Sequence, residues 1–177
     1  FFPFEPQYLL VIILPGLPFD FAHAIGNVAF ALALGPFVVD SLLKIGIQPW
    51  FNLGYGNPRY TPKADETAVG WVPVFDEEAM KAWLAYTGKL AEHFQGRVTH
   101  WEIWNEPDYA PFWGGSKADY ARLLKVAYIV AKLADPNARI MFGGLIFGDG
   151  DNWLAGVLAI YQSDPMRNSY NWYMDMV

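Results

Sequence analysis

Arg97-Val98-Thr99-His100-Trp101-Glu102-Ile103-Trp104-Asn105-Glu106-Pro107-Asp108 is the stretch whose reading decides the fold of this chain. Val98, Thr99, Trp101, Ile103 and Trp104 suit a pleated, buried surface, so the run predicts a strand. Pro107 has no N–H to give a ladder and predicts where the strand stops. The last two positions before that stop are polar, Asn105 and Glu106. Asn and Asp commonly open turns, but a turn needs no concentration of large aromatics such as Trp101, Trp104 and Trp113. A carboxylate on the rim of a parallel barrel, where strand ends feed the active site, accounts for both features.

Working outward, Asp76 caps a helix whose Met80, Trp83, Leu84, Thr87, Leu90, Ala91 and Phe94 fall on one continuous face. Glu77 and Glu78 occupy its first turn, where negative charge suits the helix dipole, and Gly96 ends it. After the central strand, Ser116-Lys117-Ala118-Asp119 has the form of a capping box. Its helix is expected to bury Tyr120, Leu123, Leu124, Ala127 and Ala131 and to stop at Asp135-Pro136. Residues 138–142 predict a strand leading to Gly143-Gly144, residues 153–160 a helix, and residues 171–177 the beginning of another strand.

Towards the start of the chain, residues 47–53 predict a strand closed by Gly54-Tyr55-Gly56-Asn57-Pro58. The loop from there to Val74 is long and carries Tyr55, Arg59, Tyr60 and Trp71; such loops in compact domains are usually functional or mobile. Residues 37–44 predict a helix ended by Gly46. Leu9-Leu10-Val11-Ile12-Ile13-Leu14 is a continuous apolar run of the kind buried on both faces of a parallel sheet. Residues 21–39 are nearly apolar over 19 positions, the length of a membrane span. His23, Gly26, Asn27, Gly35 and Pro36 interrupt them and no basic flank anchors them, so the expectation is a buried helix or hairpin and no membrane association. The first eight residues lack the basic start and small-residue cleavage site of a signal peptide; the compartment is left open.

Strand and helix alternate through five strands and about four helices, with crossovers long enough for parallel pairing. At 177 residues the chain fits one domain, 1–177, and is short for an eight-fold barrel of typically ~250 residues. A hydrophobic content of 54% excludes disorder. The net charge of −6, with Lys and Arg scattered singly, argues against a nucleic-acid partner. Without cysteine there is neither a disulfide framework nor a thiolate metal site.

Trp101-Glu102-Ile103-Trp104-Asn105-Glu106-Pro107 resembles the fourth-strand motif of the retaining glycoside hydrolases of clan A. The continuation through Phe112-Trp113, Asp119-Tyr120-Ala121, Leu124-Lys125 and Gly143-Gly144 is similar to family thirty-nine and its bacterial relatives, from about Gly46 to the end of the chain. The resemblance implies a (β/α)8 TIM barrel, present here in part as its second to sixth strands. It implies a glycosidase acting on an oligo- or polysaccharide or glycoside without a cofactor, Glu106 as general acid/base, and Asn105 as the amide that meets the sugar's 2-hydroxyl. The family's nucleophile is a Glu on the seventh strand, which would lie beyond residue 177.

Glycoside hydrolysis normally uses two carboxyl groups, one to protonate the departing oxygen and one to attack or stabilise the anomeric carbon. Glu102, four residues from Glu106, would lie ~13 Å away along a continuous strand, against the ~5–5.5 Å of a retaining pair. It is expected instead as a buried, paired residue of the barrel lumen, with Asp108 bracing the loop. Trp104, Trp113 and Tyr55 are expected to face one cleft at the strand ends beside Asn52 and Asn105 and to contact substrate. No metal site is expected: the three histidines lack ligand spacing, and Asp149-Gly150-Asp151-Asn152 starts like a calcium loop but continues with Trp153 and Leu154. Two other readings share these residues, a carbohydrate-binding protein without turnover and an inactive piece of a barrel. The missing strands are expected from residues outside the chain or from self-association.

Overall fold

The computed structural model describes residues 35–54, 72–74, 76–147 and 152–177. The strand expected at residues 9–14, most of the apolar segment 21–39, Tyr55 and most of its loop, and most of the 149–152 turn lie outside the described residues. The chain falls into two compact units, Phe1–Ile47 and Gln48–Val177. In the first, helix α1 spans Gly35–Lys44. It ends as Gly46 predicts: Gly46 has φ 80, its N–H donates to Leu43 at 3.0 Å and that of Ile47 to Leu42 at 2.9 Å, the paired bonds of a Schellman cap.

The second unit runs β1 (Trp50–Leu53), α2 (Glu77–His93), β2 (His100–Ile103), α3 (Lys117–Ala134), β3 (Arg139–Phe142), α4 (Trp153–Tyr161) and a short 3₁₀ turn at Asn171–Tyr173. The strands form one parallel sheet in the order β1-β2-β3, with Trp50, His100 and Arg139 in register and Asn52, Glu102 and Met141 in the same register two residues on. The α/β expectation holds, with three of the five strands formed among the described residues. β1 starts immediately after Pro49, which has no N–H for the ladder. Where residues 171–177 predict a strand, residues 171–173 instead take left-handed backbone angles, φ 50 to 60. Pairing begins only at Met176, which bridges Met141 in parallel, and the Asp175 N–H donates to the Ile140 carbonyl at 2.7 Å.

Leu53, Trp101, Ile103, Ile140 and Phe142 are buried on one face of the sheet, the core side. The opposite face carries Trp50, Asn52, His100, Glu102, Arg139 and Met141, all half-buried or exposed. Helix α3 follows its sequence pattern closely. Ser116 and Asp119 complete the capping box, and Tyr120, Leu123, Leu124, Ala127 and Ala131 are all buried. Helix α2 is capped by Asp76, which accepts the Ala79 N–H at 2.7 Å, and Trp83, Thr87, Ala91 and Phe94 of its expected face are buried, with Leu84 as the departure. Ala79 is buried as well, whereas Leu84 is 46% exposed. Small residues decide this: a Cβ on Gly88 would lie 2.8 Å from Val130 Cγ1 of α3, so the helices meet where α2 is thinnest.

Candidate active site

The carboxyl ends of β1, β2 and β3 converge on residues 104–108. The expected strand runs to Asn105-Glu106, but the ladder ends at Ile103 because Trp104 and Glu106 take left-handed angles, φ 67 and φ 46. For bulky residues this conformation costs about 1–3 kcal/mol each and survives only where the surroundings fix it. Around Trp104 they do. Its N–H donates to Leu53 at 2.8 Å, its carbonyl accepts Asn52 Nδ2 at 2.8 Å, and its indole donates to Phe112 at 2.6 Å. At Glu106 the N–H donates to the Gly144 carbonyl at 2.9 Å and the carbonyl accepts the Tyr109 N–H at 2.9 Å. The half-buried Glu106 is thus held by its backbone at the strand-end rim, with half-buried Asn105 preceding it.

Two expected substrate contacts are corrected by burial. Trp104 is 0% and Trp113 3% exposed, so neither offers a face to a sugar ring. They pack edge to face at 5.4 Å, and Trp113 meets Tyr120 of α3 at 5.3 Å. The pair is a wedge between the rim loop and α3, and gives the loop the aromatic surface that its tight turn lacks. Asn52 is exposed at the rim, but its amide nitrogen is engaged by the Trp104 carbonyl, which ties the end of β1 to the turn before Asn105. A Cβ on Gly54 would stand 2.8 Å from Asn52 Oδ1, so that position has no room for a side chain.

Asp108 braces the loop as expected: its carboxylate accepts the N–H groups of Ile146 at 3.2 Å and Phe147 at 2.9 Å. Glu102 is half-buried rather than buried, and its Oε1 accepts the Gly144 N–H at 2.9 Å. Sequence reasoning missed that contact, and also Tyr120, whose hydroxyl donates to the Ile103 carbonyl and accepts the Gly143 N–H, both at 2.8 Å. The one available signal was Gly143-Gly144 directly after a strand, since consecutive glycines there mark close approach of another backbone. Burial pushes the Tyr120 phenol far above its ordinary range, with the Glu102 charge adding to the rise, so the hydroxyl stays neutral while it bridges. Among the described residues no group of three His, Asp or Glu is placed to hold a metal ion, and no helix is long and apolar enough to cross a membrane.

Residues 28–168 match Glycosyl hydrolases family 39. A beta-xylosidase of Geobacillus stearothermophilus is 29% identical over 130 residues, 68% of this chain and 25% of that protein. A beta-xylosidase of Caldicellulosiruptor saccharolyticus is 28% identical over 112 residues, 58% of this chain and 23% of that protein. Among solved structures, a family 39 glycoside hydrolase of Bacteroides cellulosilyticus superposes with a TM-score of 0.55 at 27% identity, over 72% of this chain and 25% of that one. A glucosidase of Croceicoccus marinus superposes with a TM-score of 0.52 at 16% identity, over 70% and 26% of the two chains, a likeness of fold alone. The chain spans about a quarter of the length of these relatives.

Proposed function

Because the chain belongs to glycosyl hydrolases family 39, we propose that it carries the acid/base half of a retaining glycosidase site acting on β-linked sugars, β-xylosides first among them. Glu106 is the general acid/base. Its carboxyl protonates the departing oxygen, which would otherwise leave as an alkoxide, while a second carboxylate attacks the anomeric carbon. In the next step the Glu106 carboxylate takes a proton from the water that releases the sugar. Asn105 binds the 2-hydroxyl, Asn52 lines the same rim, and Tyr55 is a further substrate contact. No residue of this chain takes the nucleophile's role. A carboxylate from outside it comes within about 5–5.5 Å of Glu106 when a (β/α)8 barrel is completed, with β1, β2 and β3 as its third to fifth strands. Residues 1–177 are one part of that single catalytic domain.

The observation that carries this reading is the fixing of Glu106 at the carboxyl end of β2, with its N–H on Gly144 at 2.9 Å. A backbone fixed before substrate arrives limits where the Glu106 carboxyl can reach, and proton transfer requires that carboxyl within hydrogen-bond reach of the departing oxygen. The test is hydrolysis of β-xylosides by the protein expressed from its full reading frame. The product's anomeric configuration is followed by NMR, and wild type is compared with Glu106→Gln. Retained configuration and a rate loss of about 10²–10⁴-fold on an alkyl xyloside are expected. An undiminished rate would sink the assignment. Binding of xylo-oligosaccharides by wild type without any turnover would make the protein a carbohydrate binder.

A further inference from the structure

Glu102 does not figure in the two-carboxylate scheme, yet it reaches the acid's backbone through a single residue. Its Oε1 accepts the Gly144 N–H at 2.9 Å, and the carbonyl of the same Gly144 accepts the Glu106 N–H at 2.9 Å. Both bonds converge where Glu106 stands at φ 46, a conformation that does not hold itself. A straight strand would put Glu102 too deep to matter to Glu106. The left-handed step at Trp104 folds the chain over Gly144 and brings the two glutamates to one residue. Asp108 secures the far side of the same segment through Ile146 and Phe147.

We infer that Glu102 is a positioning residue for the general acid/base. By fixing the Gly144 peptide it sets the direction in which the Glu106 side chain leaves the backbone, and so where its proton points. This rests on the reading of Glu106 as the acid. Proton transfer needs heavy atoms about 2.6–3.2 Å apart, and a misplacement of ~1 Å is enough to lose ~10²-fold in rate. In the first step the loss falls on substrates whose leaving group needs protonation; the release of the sugar by water, where Glu106 acts as base, is slowed alike for all of them.

The experiment compares E102A, E102Q and E106Q in the protein expressed from its full reading frame. Two β-xylosides are used, one with an alkyl leaving group and one with a dinitrophenolate that departs without help. The E102A variant is expected to lose about 10- to 100-fold in kcat/KM on the alkyl xyloside and to stay near wild type in kcat/KM on the activated one, a ratio that reports the first step alone and not the later release of the sugar by water. E102Q keeps an oxygen that can accept the Gly144 N–H and is expected to recover most of the loss. Should E102A not fold, E102D, which shortens the reach by one methylene, carries the same comparison. Equal losses in kcat/KM on both substrates, or an E102Q variant as impaired as E102A, overturn the positioning role and leave Glu106 as the acid. An E106Q variant without leaving-group dependence overturns the acid reading itself, and the positioning role with it.

Discussion

Tyr120 and Gly143 are joined by a hydrogen bond of 2.8 Å in which the buried phenol oxygen of a helix accepts the N–H at the end of β3. The same hydroxyl donates to the Ile103 carbonyl at the end of β2 at 2.8 Å. One side-chain atom therefore spaces two adjacent strand ends at the point where the rim begins. Tyr120→Phe keeps the ring, which packs on Trp113 and Phe142, and removes the atom. A buried N–H left without its partner costs about 1–3 kcal/mol, so the substitution is expected to destabilise by that amount. Urea unfolding of the two proteins measures it; equal midpoints would show that water replaces the hydroxyl.

Gly143 and Gly46 separate two reasons for needing glycine. A Cβ on Gly143 would stand 2.8 Å from the Ile103 carbonyl oxygen and 2.9 Å from that of Trp104, both backbone atoms that cannot step aside alone. At Gly46 no atom lies within 4 Å of such a Cβ, and only φ 80 opposes a side chain. Gly46→Ala is therefore expected to lose about 1 kcal/mol, and Gly143→Ala more than this. Gly143→Ala should also displace the loop on which Glu106 rests, so that kcat falls with stability. Similar losses for the two variants in denaturant titrations would contradict the crowding argument.

Trp113 supplies a test of burial against substrate contact. At 3% exposure it belongs to the wedge with Trp104, so Trp113→Ala is expected to destabilise by about 3–5 kcal/mol. Tyrosine at the same position, which keeps an aromatic ring in the wedge, should leave KM for xylosides unchanged. A variant of unaltered stability but raised KM would return Trp113 to the cleft.

The parts of this fold that were legible in the sequence are those with local causes. Ser116 and Asp119 lie three residues apart and cap each other, and the large buried residues of α3 carry the helical period in their identities. Most of the α2 face was legible too, but Leu84 was counted in because hydrophobic pattern weighs large side chains, whereas Ala79 and Gly88 mark the close approach to α3. At the site, Asn105 and Glu106 could be picked out because polar groups ended an apolar run. The left-handed Trp104 could not, since tryptophan carries no local signal for that conformation; Leu53, Asn52 and Phe112 impose it. Glu102 and Gly144 are 42 residues apart, and only the parallel pairing of β2 with β3 brings them together.

Asp164 gives a pH prediction away from the rim. It pairs with Lys125 and accepts the Tyr173 hydroxyl at 2.9 Å. The Lys125 ammonium, followed by the Met166 N–H, lowers its carboxyl to about 2 from an ordinary 3.8. A carboxyl lowered in the folded state stabilises fully above its unfolded value, and that contribution is lost as pH falls from 3.8 towards about 2. Asp164→Asn should therefore be the less stable protein at pH 7, with the difference shrinking through that acid window. Urea midpoints at neutral pH and near the acid end decide it; a difference independent of pH would mean that the pair adds nothing through its charge.

The face of the sheet that carries Trp50 leads to the last prediction. Trp50 is 62% exposed there, in register with His100 and Arg139 and beside the Asn52, Glu102 and Met141 row. In a closed barrel that face lines the interior, and the outer edge of β1 pairs with another strand. Apolar surface beside an open strand edge is a ready template for association. A polypeptide of residues 1–177 alone is therefore expected to associate in a concentration-dependent way in sedimentation experiments and to bind a hydrophobic dye. Trp50→Glu, which places a charge on that face, should weaken both. The protein from its full reading frame should do neither, and its Trp50 should resist acrylamide quenching because strands now cover it. The alternative outcome is a monodisperse monomer of residues 1–177 with Trp50 freely quenched and no dye bound. That would show the sheet of residues 1–177 to be stable as it stands and the association argument to be wrong.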